Sequence, residues 1–202
     1  MRKAVKQEII SLMKEYNLNC SIKGFKFAAD WPEILYSKIL SNDFIDKFAS
    51  HFDLTCWIII SKRRGLSEET IRRYRDKVHW GSISYYQKLS ESFIREFKEK
   101  VNWYNICICQ RLSEDFIDEH QALVDWKCVS IFQSLSEDFI RKHKDRVDWG
   151  HISSYQDLSI EFVSEFKDRI DFERLMVKRN LDNMAIKSIM VGTNLKQTLK
   201  KT

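Results

Sequence analysis

The sequence predicts an all-α protein, a right-handed α-solenoid of about five to six short helical hairpins closed by helical caps at both ends. Three observations carry that prediction. Leu-Ser recurs every 23 residues, at Leu66-Ser67, Leu89-Ser90, Leu112-Ser113, Leu135-Ser136 and Leu158-Ser159. An aromatic follows each Leu by fourteen positions, as Trp80, Trp103, Trp126, Trp149 and, in the last unit, Phe172. The 202 residues hold one proline and five glycines, too few for a turn-rich β-protein. A fixed period in this range marks stacked supersecondary units that bury their apolar faces against one another.

Residues 1–39 read as an N-terminal cap followed by a diverged half-repeat. Val5, Ile9, Leu12, Met13 and Tyr16 share one helical face, and charged residues interrupt it too often for a signal peptide. Asp30-Trp31, Ile34 and Leu40-Ser41 then repeat the spacing of Asp148-Trp149, Ile152 and Leu158-Ser159. The tandem array covers residues 40–180, with units opening at 40, 66, 89, 112, 135 and 158. The unit from Leu40 is three residues longer than the others, and its extra length is assigned to Ser61-Lys62-Arg63-Arg64-Gly65, with Leu54 in the tryptophan slot.

One unit illustrates the local physics. Ser136 is an N-cap, and Glu137 and Asp138 complement the positive end of the helix that follows. Leu135, Phe139, Ile140, His143 and Val147 fall on one face of that helix. Asp148 caps a second helix carrying Trp149, Ile152, Tyr155 and Gln156. Helices of roughly ten and eight residues are too short to stand alone, so each hairpin must pack on its neighbours. Aligned columns support this: Phe93, Phe116, Phe139 and Phe162; Ile71, Ile94, Ile117, Ile140 and Val163; Val78, Val101, Val124, Val147 and Ile170. Residues 181–202 are assigned to a C-terminal cap helix, with Leu181, Ile186 and Ile189 in register, and a lysine-rich tail.

The pattern Leu-Ser-Glu-Asp-Phe-Ile, then Val-Asp-Trp, then Ile-Ser-x-Tyr-Gln resembles tandem helical repeats in proteins of large DNA viruses and bacteriophages. The resemblance spans about residues 40–180. It implies a viral or phage accessory protein working in the host cytoplasm, and it implies no enzymatic activity.

Composition narrows the remaining classes. No run approaches the ~18 apolar residues of a membrane span. Five cysteines at irregular spacing, with no Cys-x-x-Cys pair, point to reduced thiols in a cytoplasmic setting rather than a disulfide framework or zinc site. Glycine-rich phosphate loops and nucleophile elbows are absent from the sequence, and no cofactor or metal is expected. His120 and His143 share a column otherwise held by aromatics, and are read as their substitutes. Cys107 and Cys109 are read as small buried hydrophobes. The tryptophan column is assigned to the inter-repeat core in preference to a base-stacking platform. Gln87, Gln110, Gln133 and Gln156 are assigned to closing the turns.

Charge is the most informative functional signal. The total of +5 conceals net charges of +4 over residues 1–65, +2 and +1 in the units from Leu66 and Leu89, and −4 in the unit from Leu112. Lys62, Arg63, Arg64, Arg72, Arg73 and Arg75 form the candidate partner-binding cluster. The leading expectation is a non-enzymatic scaffold that binds, and thereby inhibits, a host protein. The alternative is a nucleic-acid binder that uses the basic first half. Self-association as a homodimer through the end caps stays open.

Overall fold

The computed structural model describes residues 2–179 and Ile189, and among these it is all-helical with no strand. The chain divides into two compact units, Met1–Asn105 and Ile106–Thr202. The expected C-terminal cap and tail of residues 181–202 lie outside the described residues, apart from Ile189.

The first unit begins with α1 (Lys3–Glu15), α2 (Phe25–Ala28), α3 (Trp31–Ser37), α4 (Asn42–Phe48) and α5 (Leu54–Lys62). It continues through α6 (Glu68–Arg73), α7 (Trp80–Tyr86) and α8 (Glu91–Glu96), and the boundary falls within α9 (Trp103–Cys109). Here α3 packs on α5, α5 on α7, and α1 lies against α4. The second unit holds α10 (Glu114–Glu119), α11 (Trp126–Phe132), α12 (Glu137–Lys142), α13 (Trp149–Tyr155), α14 (Ile160–Glu165) and α15 (Phe172–Arg179), with α11 on α13 and α13 on α15. Neighbouring helices thus pack in sequence order, the arrangement the 23-residue period predicts.

The helices are shorter than the sequence suggests. The first helix of each regular unit has six residues and the second has seven. Between them lies a hydrogen-bonded turn, in which Leu123 and Val124 N–H both reach the His120 carbonyl. That turn keeps the helical spacing of the valine column, which explains why periodicity extends the helix too far. The three predicted columns are all buried.

Capping follows the sequence closely. Ser41, Ser67, Ser90, Ser113, Ser136 and Ser159 each accept from the N–H three residues on. The carboxylates in the first turn do more than complement the helix. Glu68 accepts from Ser90 N–H, Glu114 from Ser136 N–H and Glu137 from Ser159 N–H, so each acid caps the cap of the following hairpin. In the N-terminal cap, Glu8 does the same for Ser41.

Glutamines make the deepest connections. Gln133 Nε2 donates to the carbonyls of Cys107 (2.7 Å) and Gln110 (2.9 Å), while its Oε1 accepts from Leu112 N–H at 2.9 Å. Gln156 repeats the pattern with Ser130 O (2.9 Å), Gln133 O (2.8 Å) and Leu135 N–H (3.1 Å). In the first unit Gln87 bonds Ser61 O, Arg63 O and Leu66 N–H. These amides close the preceding unit's turn rather than their own. A second ladder links the second helices: the hydroxyls of Ser61, Ser84, Ser130 and Ser153 accept from the N–H of the next N-cap, at residues 79, 102, 148 and 171.

The three-residue insertion lies elsewhere than in the loop of residues 61–65. Trp57, not Leu54, occupies the tryptophan column. Its ring lies 4.7 Å from that of Tyr74, seventeen residues on, as Trp31 meets Phe48 at 5.0 Å and Trp80 meets Phe97 at 4.9 Å. Trp57 is 2% exposed and Leu54 is 74% exposed. The extra residues therefore lengthen the start of α5, which Asp53 caps by accepting from Cys56 N–H at 2.8 Å. Burying an indole outweighs keeping the period. The displacement has a local cost. Trp80, Trp103, Trp126 and Trp149 each donate their indole N–H to the carbonyl five residues back, whereas the buried Trp57 Nε1 finds no partner among the described residues.

Two outcomes follow for stability. Replacing Gln133 by Ala orphans one buried N–H and two carbonyls, and urea unfolding is expected to register a loss of about 2–4 kcal/mol. Trp57→Ala is expected to cost about 3–5 kcal/mol, while Leu54→Ala changes stability by less than about 0.5 kcal/mol. Equal effects of the Trp57 and Leu54 substitutions would contradict the register assigned to α5.

Candidate functional site

Large apolar side chains are exposed at several places, Phe27, Tyr36, Ile39 and Leu54 among them, but those that close the second helices recur at one register. Tyr86 ends α7, Phe132 ends α11 and Tyr155 ends α13, each just before a glutamine. At the helix C-cap the backbone turns to extended geometry at Gln87, Gln133 and Gln156, whose side chains go inward. The preceding aromatic is left facing outward. Phe132 is 50% exposed and Tyr155 is 55% exposed. In the second unit these two rings and the intervening Gln133–Leu135 turn border an open cavity of about 260 Å³. In the first unit Tyr86 meets Tyr85 edge to face at 4.7 Å, and both stay largely open to solvent.

Cys109 holds the same register and is likewise exposed, which corrects its reading as a buried residue. The correction has a simple cause: from Tyr86 through Cys109 and Phe132 to Tyr155 this column faces solvent, whether an aromatic or a thiol fills it. Cys107, two positions earlier, is buried as expected. Desolvation pushes the thiols of Cys56 and Cys107 up to about 11, and it also raises that of Cys128.

The arginine cluster is divided. Arg72 Nε donates to Glu96 at 2.7 Å and lies 3.6 Å from Glu68. Arg73 pairs with Asp46 and with Glu69 at 2.8 Å. These carboxylates hold both guanidinium groups above their ordinary pKa, chiefly through the Glu96 hydrogen bond at Arg72 and the charge of Asp46 at Arg73. Arg75 lies 3.8 Å from Asp76. Lys62 and Arg64 are exposed at the end of α5 and in the turn after it, where Gly65 adopts a φ of 96°. Arg63 is half-buried, and desolvation lowers its pKa. Pairing of this kind is invisible to a count of charges along the chain, because the partners of Arg72 and Arg73 include Glu96 and Asp46, 24 and 27 residues away.

Trp80, Trp103, Trp126 and Trp149 are half-buried, unlike the buried Trp31 and Trp57, and their rings are engaged by protein. In the second unit Trp126 lies tilted against His143 at 4.8 Å and Trp149 against Phe166 at 5.0 Å. The guanidinium groups of Arg146 and Arg169 lie 5.9 and 5.7 Å from the same two rings. This leaves little room for nucleobase stacking. His120 and His143 are buried aromatic substitutes, each against the phenylalanine four residues before it. His143 Nε2 donates to Asp118 at 2.7 Å, and Lys142 and His143 together hold that carboxyl below its ordinary pKa. Among the described residues no group of three or more His, Cys, Asp or Glu side chains is placed to hold a metal ion. Nor is any helix among them long and apolar enough to cross a membrane.

Sequence reasoning noted the aromatic register but not its exposure. The signal was its position beside the buried glutamine: at a strand-like C-cap two successive side chains point to opposite sides. Comparison with known protein families, curated proteins and solved structures returns no match.

Thiol accessibility gives a direct check. In the folded protein at pH 8 maleimide is expected to label Cys109 readily, and Cys56, Cys107 and Cys128 only after unfolding. Because Cys56 and Cys107 titrate near 11 when folded against an ordinary 9.0, their contribution to stability is complete below pH 9 and is lost as the pH rises through 11. Mass spectrometry of the labelled chain and urea midpoints across that range test both statements.

Proposed function

We propose that the chain is a non-enzymatic binding protein that grips a partner protein through the exposed aromatic residues at the ends of its second helices. The observation that carries this reading is the recurrence of Tyr86, Phe132 and Tyr155 at one register, where packing demands no aromatic and solvent should favour a polar residue. Tyr and Phe supply large contact area at low conformational cost and are enriched in interface cores. The cavity bordered by Phe132 and Tyr155 in the second unit, with Gln133, Ser134, Gln156 and Asp157 in its wall, provides a socket for a polar side chain of the partner flanked by aromatic contact.

The ion pairs of Arg72 and Arg73 favour protein over nucleic acid as partner, since a phosphate would have to displace Glu96 and Asp46. The resemblance of the repeat to those of large DNA viruses and phages supports a host protein as the partner, inhibition as the outcome and the host cytoplasm as the place.

The test is affinity purification of the tagged chain from host lysate, with and without nuclease, beside the double variant Phe132→Ala/Tyr155→Ala. Both side chains are half exposed, so the variant is expected to keep its fold. A stoichiometric protein that survives nuclease and falls about tenfold or more in the variant is the expected result. Equal recovery by the variant, or loss of everything on nuclease treatment, would overturn the reading.

A further inference from the structure

A second feature lies in the first unit, far in sequence from the aromatic register. Ile9 of α1, Phe48 of α4 and Ile22 of the α1–α2 connection form the apolar lining of a cavity of about 440 Å³, and Lys23, Lys26 and Lys47 complete its wall. Ile9 and Phe48 are buried, so the floor is part of the folded core. The volume falls within the range of small-molecule pockets, and the mixture of an apolar floor with a few polar groups is their usual composition.

The charge of this cavity is uncompensated. None of the three lysines forms an ion pair with a described residue. Lys26 Nζ rests 4.6 Å from the ring centre of Phe27, a contact that orients the ammonium without neutralising it. The neighbouring acids are engaged elsewhere. Asp43 and Asp46, on the same helix as Lys47, pair with Arg2 and Arg73, and Glu8 of α1 holds the amide and hydroxyl of Ser41. Glu15, at the end of α1, pairs with Lys38. Three cations around an apolar floor, with Asp43, Glu8 and Glu15 engaged elsewhere and Asp46 held by Arg73 through one of its two oxygens, create a site for a molecule that brings its own negative charge and an apolar body.

We infer that this cavity binds a small amphiphilic anion, an apolar body of roughly ten carbon atoms bearing one carboxylate or sulfonate head. The body sits on Ile9, Ile22 and Phe48, and the head lies among Lys23, Lys26 and Lys47. A larger polyanion such as nucleic acid gains little from the buried floor, and a neutral apolar molecule leaves the lysines unused.

The experiment is a fluorescence titration of the intact chain with anilinonaphthalene sulfonate, followed by competition with decanoate and with decanol. Saturable binding is expected, weakened by added salt and displaced by decanoate at about tenfold lower concentration than decanol. The double variant Lys23→Gln/Lys47→Gln, checked for native helicity by circular dichroism, is expected to bind the dye about tenfold or more weakly. Phe132→Ala/Tyr155→Ala is expected to bind it normally, which separates this site from the aromatic edge. Unsaturable binding, unchanged affinity in the lysine variant, equal displacement by decanol, or loss of binding in the aromatic variant would each overturn the assignment.

Discussion

The fold depends on how the backbone of each tight turn is satisfied. A hairpin made of six- and seven-residue helices leaves much of its amide and carbonyl complement without an intrahelical partner, because every helix end strands four groups. Water cannot serve the turns that are buried. The glutamine that ends a second helix solves this problem for the unit before it, with one side-chain amide providing two donors and an acceptor to three backbone groups. An amide is the side chain that can do both, and Gln has the reach that Asn lacks. The serine and glutamate ladders then apply the same logic at the helix N-termini. Polar contacts, more than apolar shape, fix the register of one hairpin on the next, since stacked columns of Phe, Ile and Val would tolerate sliding.

This arrangement explains why the chain presents an aromatic edge. When the glutamine turns inward, the residue before it has to face out. Any side chain is structurally tolerated there, as Cys109 shows in the same register. At this position Tyr86 meets Tyr85 and Tyr155 stacks on His151, both contacts at the surface, so the buried core does not itself call for an aromatic there.

Much of the fold was legible in the sequence because its determinants are local. The serine and aspartate N-caps, the Phe, Ile and Val columns and the order of the hairpins all follow from spacing within a single period. Four features were not. The glutamines bond residues 21–26 positions earlier, beyond any local pattern. The insertion was misplaced because Leu54 keeps the period while Trp57 breaks it, and only burial decides between them. The arginine cluster looked free because Glu96 and Asp46 sit a full repeat away from Arg72 and Arg73. The lysine-walled cavity belongs to the diverged N-terminal cap, where no repeat offers a comparison.

The central claim is that side-chain amides hold the inter-repeat turns as firmly as the helices themselves. Native-state hydrogen exchange of the Leu66, Leu112 and Leu135 amides, read residue by residue by NMR, tests it most directly. If the glutamine oxygens accept from these N–H groups in solution, they exchange as slowly as the core amides of Ile83 and Val129. Exchange at the rate of an open loop would show that the turns are held by apolar packing alone, and the account would fail at its foundation.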